Sequence, residues 1–302
     1  MPRPIVTIVG AGKIGQAIGH FLQQSNTPPT LHFWDKDRTK VPEQLTLERI
    51  LPAASFVFFC IPSWALKDAL DETRPFIGKK TMILCVSKGI EPETQKTIDT
   101  LLKTYFPANE IALLLGPMLA DEILRGLPGF ATIATEKPRT VQQIRALFKK
   151  SHFELTDSPF VKDAAFASVL KNIYSLAMGL ADGLEWGNNQ KGMLASHAII
   201  EMRALFQATR HHVEVLDTPA GLPDFLATAF SPVSRNRTLG EELIRTGKGS
   251  FQSEGSIALP SLVKTLKNKT STFPILHAMR KILLQGKHKD AKELFSKLIH
   301  LS

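Results

Sequence analysis

Ile5-Val6-Thr7-Ile8-Val9 runs directly into Gly10-Ala11-Gly12-Lys13-Ile14-Gly15, and the reading of this junction decides the fold. An apolar, β-branched run without alternation suits a strand covered on both faces. The glycine pattern that follows fits a loop opening a helix, which should run to about Gln24. The first glycine permits a tight turn, the second lets backbone approach a pyrophosphate, and the third lets helix and strand pack closely. The helix N-terminus adds unpaired N–H groups and a partial positive charge. Asp35, at the end of the next strand, stands where a carboxylate accepts hydrogen bonds from adenosine ribose hydroxyls.

Further strands are expected at Thr30–Trp34, Phe56–Ile61, Thr81–Val86, Ile111–Leu115, Phe130–Ala134 and Phe153–Leu155. The helical stretches between them imply right-handed βαβ crossovers. After about Ser158 the strand signal stops, and the rest reads as helices broken by turns near Gly183–Gly187, Thr218–Pro223, Ser231–Ser234 and Gly247–Gly249. The expected class is therefore α/β: an N-terminal doubly wound, Rossmann-type domain at 1–158, followed by an all-helical C-terminal domain at 159–302. Ligands are expected at the carboxyl ends of the strands, facing the second domain.

Hydrophobic residues make up 43% of the 302 residues, which places the chain among soluble globular proteins. The longest apolar run, Ala164 to Ala181, is interrupted by Ser168, Lys171, Asn172 and Ser175. It reads as a buried helix, so no membrane span is expected. Cys60 and Cys85, the two cysteines, sit in strand-like runs as reduced core residues, and neither a disulfide framework nor a metal site is expected. The cytoplasm is the expected location. Net charge is +9, yet the lysines after residue 260 are spaced as a solvated helix face without interleaved aromatics. Nucleic acid is not an expected partner.

Within the apolar run, Lys171 is the one charged residue. A buried ammonium is costly to desolvate, and burial lowers a lysine pKa from about 10.4, making it a proton donor and acceptor nearer neutrality. Ser168 and Ser175 flank it at helical spacing. Asp224, in the apolar turn Gly221-Leu222-Pro223-Asp224, needs a cationic partner, and Lys171 is the natural one. Ser234-Arg235-Asn236-Arg237 offers a guanidinium fork matched to phosphate, with neutral donors beside it. Lys88 closes the fourth strand and suits a phosphate or carbonyl oxygen.

Taken in order, these pieces resemble the NAD(P)-dependent glycerol-3-phosphate dehydrogenase family along nearly the whole chain. Also part of the resemblance are Ile-Pro-Ser at 61–63, Ser-Lys-Gly-Ile-Glu at 87–91, Gly-Pro-x-x-Ala-x-Glu at 116–122, Leu-Lys-Asn at 170–172 and Ala-Asp-Gly-Leu at 181–184. Glu-Met-Arg at 201–203, Glu-Gly at 254–255 and Phe-Pro-Ile at 273–275 complete it. The resemblance implies reversible reduction of dihydroxyacetone phosphate to sn-glycerol 3-phosphate, feeding glycerophospholipid synthesis, by a homodimer. It implies Lys171 as acid/base, with Asp224 and Lys88 completing the catalytic set. Substrate contacts would come from Lys88, Gly116, Thr228, Ser234, Arg235 and Asn236. Cofactor contacts would come from Gly10, Gly12, Lys13, Ile14, Gly15, Asp35, Lys88, Ala120, Arg235 and Glu254. Met118 and Pro223 depart from the family pattern, which has a small hydroxyl residue and a glycine there.

Two other readings compete. A 3-hydroxyacid or ketopantoate-type reductase also uses a lysine on the first interdomain helix but does not call for Ser-Arg-Asn-Arg. A catalytically silent NAD-binding sensor has no need of Lys171 and Asp224. The expected cofactor is NAD, with NADP open: Asp35 favours NADH, whereas Lys36 and Arg38 beside it attract the additional phosphate of NADPH.

Overall fold

A computed structural model of the chain describes residues 3–299. The chain divides into two compact units, Met1–Ala165 with Thr218–Ala220, and Phe166–Asp217 with Gly221–Ser302.

In the first unit the order is β1 (Ile5–Val9), α1 (Lys13–Gln24), β2 (Thr30–Trp34), α2 (Leu47–Ile50), β3 (Phe56–Phe59), α3 (Ser63–Thr73) and β4 (Met82–Cys85). It continues with α4 (Ile98–Tyr105), β5 (Ile111–Leu115), α5 (Ala120–Ile123), β6 (Gly129–Ala134), α6 (Pro138–Leu147) and β7 (Phe153–Ser158). The strands form one sheet in the order β2-β1-β3-β4-β5-β6-β7. From β1 the chain moves outward to β2, then returns past β1 to β3. The winding therefore reverses between β1 and β3, the place where open α/β sheets bind ligands. β1 through β5 pair in parallel, as the apolar runs imply. β6 departs from that expectation, because it pairs antiparallel to β5. Between those strands the chain forms only the single turn α5, too little helix for a crossover, so it doubles back. β7 then pairs parallel to β6.

Beneath the sheet Phe21 of α1 stacks on Phe153 of β7, with ring centroids 4.6 Å apart, and Phe148 meets Phe153 edge-on at 4.9 Å. Met118 is buried in the same cluster, so its departure from the family pattern fills core space.

The second unit begins within α7 (Val161–Gly183) and adds α8 (Asn188–Ala208), α9 (Leu222–Phe230), α10 (Arg235–Thr246), α11 (Glu254–Leu266), α12 (Pro274–Met279) and α13 (Ala291–Ile299). Among the described residues α7 alone is long and apolar enough to cross a membrane, and it lies buried inside the protein. Its small residues explain how α10 reaches its backbone. A Cβ on Gly179 would lie 2.0 Å from the Arg237 carbonyl oxygen, and one on Gly240 would lie 2.4 Å from that of Leu176. Glu201 fastens α8 to α12: its carboxylate accepts the Tyr174 hydroxyl and the Ile275 and Leu276 N–H groups, each at 2.8 Å. Burial raises the Glu201 pKa, and these three donors pull the other way. Glu-Met-Arg and Phe-Pro-Ile, far apart in sequence, are thus two ends of one cap.

The glycine loop separates packing from binding. A Cβ on Gly15 would lie 1.9 Å from the Gly10 carbonyl oxygen, whereas one on Gly12 meets nothing within 4 Å among the described residues. Gly15→Ala should therefore lower unfolding free energy by at least about 1–3 kcal/mol, as overpacking does. Gly12→Ala should leave it within about 0.5 kcal/mol. Urea denaturation of both variants checks this, and equal losses would mean that Gly12 is also needed for packing.

Candidate active site

The ends of four strands of the first unit, β1 to β4, are joined by close approaches and short polar contacts. Gly10, at φ +101°, turns the chain after β1, and a Cβ there would lie 2.5 Å from the Cys60 carbonyl oxygen after β3. Among the described residues no side chain caps the N-terminus of α1, which leaves its first turn available to an anion. Asp35 accepts the Ala11 N–H at 2.8 Å and the Asp37 N–H at 2.9 Å, so β2 and the glycine loop are tied together. Ser87 donates to the Ile61 carbonyl at 2.5 Å, joining Ile-Pro-Ser to Ser-Lys-Gly. Glu91 then holds its loop by accepting the N–H groups of Glu93 and Thr94 at 3.0 and 2.7 Å.

Lys88 donates to the Gly116 carbonyl at 2.8 Å, bringing two expected substrate residues into contact. Gly116 is required by packing as well: a Cβ would lie 2.3 Å from the Phe130 carbonyl oxygen. Lys13 forms an exposed ion pair with Asp121 at 2.8 Å, and Ile14 and Ala120 pack on the core cluster. Open space at Gly12, an uncapped helix start and a strand-end carboxylate on the loop together fit a dinucleotide.

In the second unit the expectation for Lys171 and Asp224 is met in their geometry. The Lys171 Nζ lies 3.3 Å from Asp224 Oδ1, with side chains 6% and 3% exposed. Thr228 Oγ1 accepts from Lys171 at 3.0 Å and lies 3.4 Å from Asp224 Oδ1, to which it donates. Asp224 stands in the first turn of α9, where the helix favours a negative charge. Thr228, one helical turn on, shares its face. Pro223 falls at the start of α9, where proline costs no hydrogen bond, so this departure from the family pattern is accommodated. Ser175 does not turn toward the ammonium: its hydroxyl donates to the Lys171 carbonyl at 2.7 Å.

A second buried chain of bonds runs beside this pair. Asn236 Oδ1 accepts the Gly255 N–H at 2.9 Å, which fixes the amide so that Nδ2 donates to Asn172 Oδ1, also at 2.9 Å. Asn172 Nδ2 is then a buried donor with no partner among the described residues. Gly255 is glycine because a Cβ would lie 2.4 Å from the Asn172 carbonyl oxygen. Ser234 caps α10 by accepting the Arg237 N–H at 3.4 Å. Arg235, at the first position of α10, lies over the Phe251 ring at 4.8 Å and donates to the Gln252 carbonyl at 3.2 Å. Arg237 is structural, pairing with Asp182, which also holds Lys191 at 3.2 Å. Glu254 opens α11 directly before Gly255.

Two residues escaped the sequence reading as site members. Asn172 was visible only as a polar neighbour of Lys171, and its pairing with Asn236 spans two helices. Lys40, whose Nζ lies 3.2 Å from Asp35 Oδ1, gave no signal because the turn that brings it back is not periodic. Among the described residues no group of three or more histidine, cysteine or acidic side chains is arranged to hold a metal ion.

A doubly wound sheet with a glycine loop at its switch point, followed by a helical unit with a buried lysine–aspartate pair, defines a nicotinamide-dependent dehydrogenase of the Rossmann type. Residues 38–141 match the N-terminal part, and residues 161–294 the C-terminal part, of the family described as NAD-dependent glycerol-3-phosphate dehydrogenase. A glycerol-3-phosphate dehydrogenase (NAD(P)+) of Agathobacter rectalis is 26% identical, with 97% of this chain and 95% of that protein covered. The corresponding enzyme of Salinibacter ruber is 28% identical over the same shares. The crystal structure of glycerol-3-phosphate dehydrogenase from Coxiella burnetii superposes with a TM-score of 0.85 at 21% identity, covering 99% of both chains. The chain belongs to the NAD-dependent glycerol-3-phosphate dehydrogenase family.

The bond chain through Asn236 is testable by itself. Asn236→Leu leaves the Gly255 N–H and Asn172 Oδ1 unpaired in the interior, so it should lower stability by about 1–3 kcal/mol per orphaned group. Thermal and urea denaturation read this directly, and an unchanged midpoint would show that water replaces the amide.

Proposed function

We propose that this chain catalyses the reversible, nicotinamide-dependent reduction of dihydroxyacetone phosphate to sn-glycerol 3-phosphate. The observation that carries the reading is the buried contact of Lys171 with Asp224 and Thr228. Residues 1–158 hold the dinucleotide, at the glycine loop and Asp35, and residues 159–302 supply the proton-transfer group and the phosphate-binding arginine. When bound, the nicotinamide supplies the hydride to the carbonyl carbon and takes it back in the reverse direction.

Lys171 Nζ gives its proton to the carbonyl oxygen as that oxygen becomes an alkoxide, which is general acid catalysis. Asp224 stabilises the ammonium before transfer and favours its return afterwards. Thr228, accepting from one and donating to the other, keeps both in register. Lys88 presents a positive charge at the end of β4, and Arg235 offers its planar fork to the phosphate. Asn172 offers an N–H to a substrate oxygen. The product suits glycerophospholipid synthesis, and a cytoplasmic homodimer belongs to the same reading; light scattering on purified protein tests the dimer.

The presence of both Lys171 and Asp224 is what a silent sensor would not require. Lys171→Met should reduce turnover on dihydroxyacetone phosphate by roughly 10²–10⁴-fold while NADH still binds. Near-normal turnover would remove Lys171 from the mechanism.

Arg235→Ala should cost roughly ten- to a hundredfold in kcat/KM on the phosphorylated substrate, the worth of a charge-assisted bond. Activity on unphosphorylated dihydroxyacetone should barely change. Equal losses on both substrates would assign Arg235 to its contacts with Phe251 and Gln252 instead.

A further inference from the structure

A bare carboxylate at the end of the second strand favours NAD, because it bonds the ribose hydroxyls and repels the 2′-phosphate of NADP. Asp35 is not bare. Lys40 places its Nζ 3.2 Å from each carboxylate oxygen, centred on the charge. The turn that allows this is built in two steps. Gln44 clamps the Asp35 backbone from both sides, accepting its N–H at 2.8 Å and donating to its carbonyl at 2.9 Å. Asp37 then caps the short turn Arg38–Lys40 by accepting the Thr39 N–H at 3.1 Å. The chain is folded back on itself, and Lys40 returns over the strand end.

Among the described residues the other hydrogen-bond donors to the Asp35 carboxylate are the N–H groups of Ala11 and Asp37, both neutral. Two more cations, Lys36 and Arg38, stand exposed on the same turn, and neither side chain has a hydrogen-bond or ion-pair partner among the described residues. Asp35 is 11% exposed at its side chain, whereas Lys40 is 43% exposed. The carboxylate is therefore buried, whereas the ammonium reaches solvent. A partner so placed can stay on Asp35 beside ribose hydroxyls or turn to a phosphate oxygen.

We infer that Lys40 is the residue that sets the balance between the two nicotinamides: it offsets the charge of Asp35 and, with Lys36 and Arg38, seats the 2′-phosphate of NADPH. This replaces the NADH preference expected from Asp35 alone. The inference rests on the reading that a nicotinamide dinucleotide occupies the glycine loop. It assigns to Lys40 a binding role, separate from proton transfer, so equilibrium binding is the proper readout.

The test is titration of wild type, Lys40→Met and Lys40→Arg with NADH and with NADPH, following fluorescence of the bound reduced nicotinamide. Wild type should bind the two within roughly tenfold of each other. Lys40→Met should weaken NADPH by roughly tenfold or more, the worth of a lost charged contact, and NADH by less than about threefold. Lys40→Arg should restore NADPH, and added salt should weaken NADPH more than NADH. Equal weakening of both by Lys40→Met would make Lys40 a brace for the turn, and unchanged NADPH binding would give the phosphate to Lys36 or Arg38; either overturns the inference. So would a wild type that binds NADPH more than about a hundredfold more weakly than NADH. If wild type binds neither, the reading of the glycine loop itself fails and the inference with it.

Discussion

An ammonium group in the middle of a helix buried on every side has to be balanced by something other than water. Lys171 is that group, and Asp224 with Thr228 is the answer. Buried ion pairs seldom stabilise a fold more than well-packed apolar residues would, whereas removal of one partner costs about 3–5 kcal/mol. A pair of this kind is therefore poorly explained by stability and well explained by chemistry. Its demands reach outward: α9 must start where Asp224 meets a helix N-terminus, and Thr228 must follow one turn later. α7 must be apolar enough to exclude competing water.

The same economy governs the surroundings. α10 can lie on the backbone of α7 only because Gly179 and Gly240 lack side chains, and α11 reaches Asn172 only because Gly255 does. These approaches bring Asn236 between Asn172 and the start of α11. In the first unit, Gly15 and Gly116 serve packing, while Gly12 leaves open space. Several of the quoted fragments are halves of one contact: Ile-Pro-Ser with Ser-Lys-Gly, Glu-Met-Arg with Phe-Pro-Ile, Ala-Asp-Gly with Ser-Arg-Asn-Arg.

Much of this was legible beforehand, for local reasons. Unalternating apolar runs announced a sheet covered on both faces, and a lone lysine in an apolar helix announced its own partner. What was hidden depends on chain reversal. β6 runs against β5 because α5 is a single turn, which no periodicity reveals. Lys40 returns to Asp35 because Gln44 clamps the turn. Ser175 looked like a neighbour of the ammonium by helical spacing, yet its hydroxyl bonds the carbonyl one turn back. Asn172 was in plain view, but its value comes from the amide orientation that Gly255 imposes through Asn236.

The most direct test of the account is a substrate panel followed by loss of NADH absorbance. Purified protein should consume NADH with dihydroxyacetone phosphate and do so far more slowly with dihydroxyacetone or with 2-oxoacids of similar size. The losses should track the absence of the phosphate group. Comparable rates on 2-oxoacids, or no NADH consumption with dihydroxyacetone phosphate, would contradict the assignment of Lys171, Asp224 and Arg235 to reduction of a phosphorylated ketone.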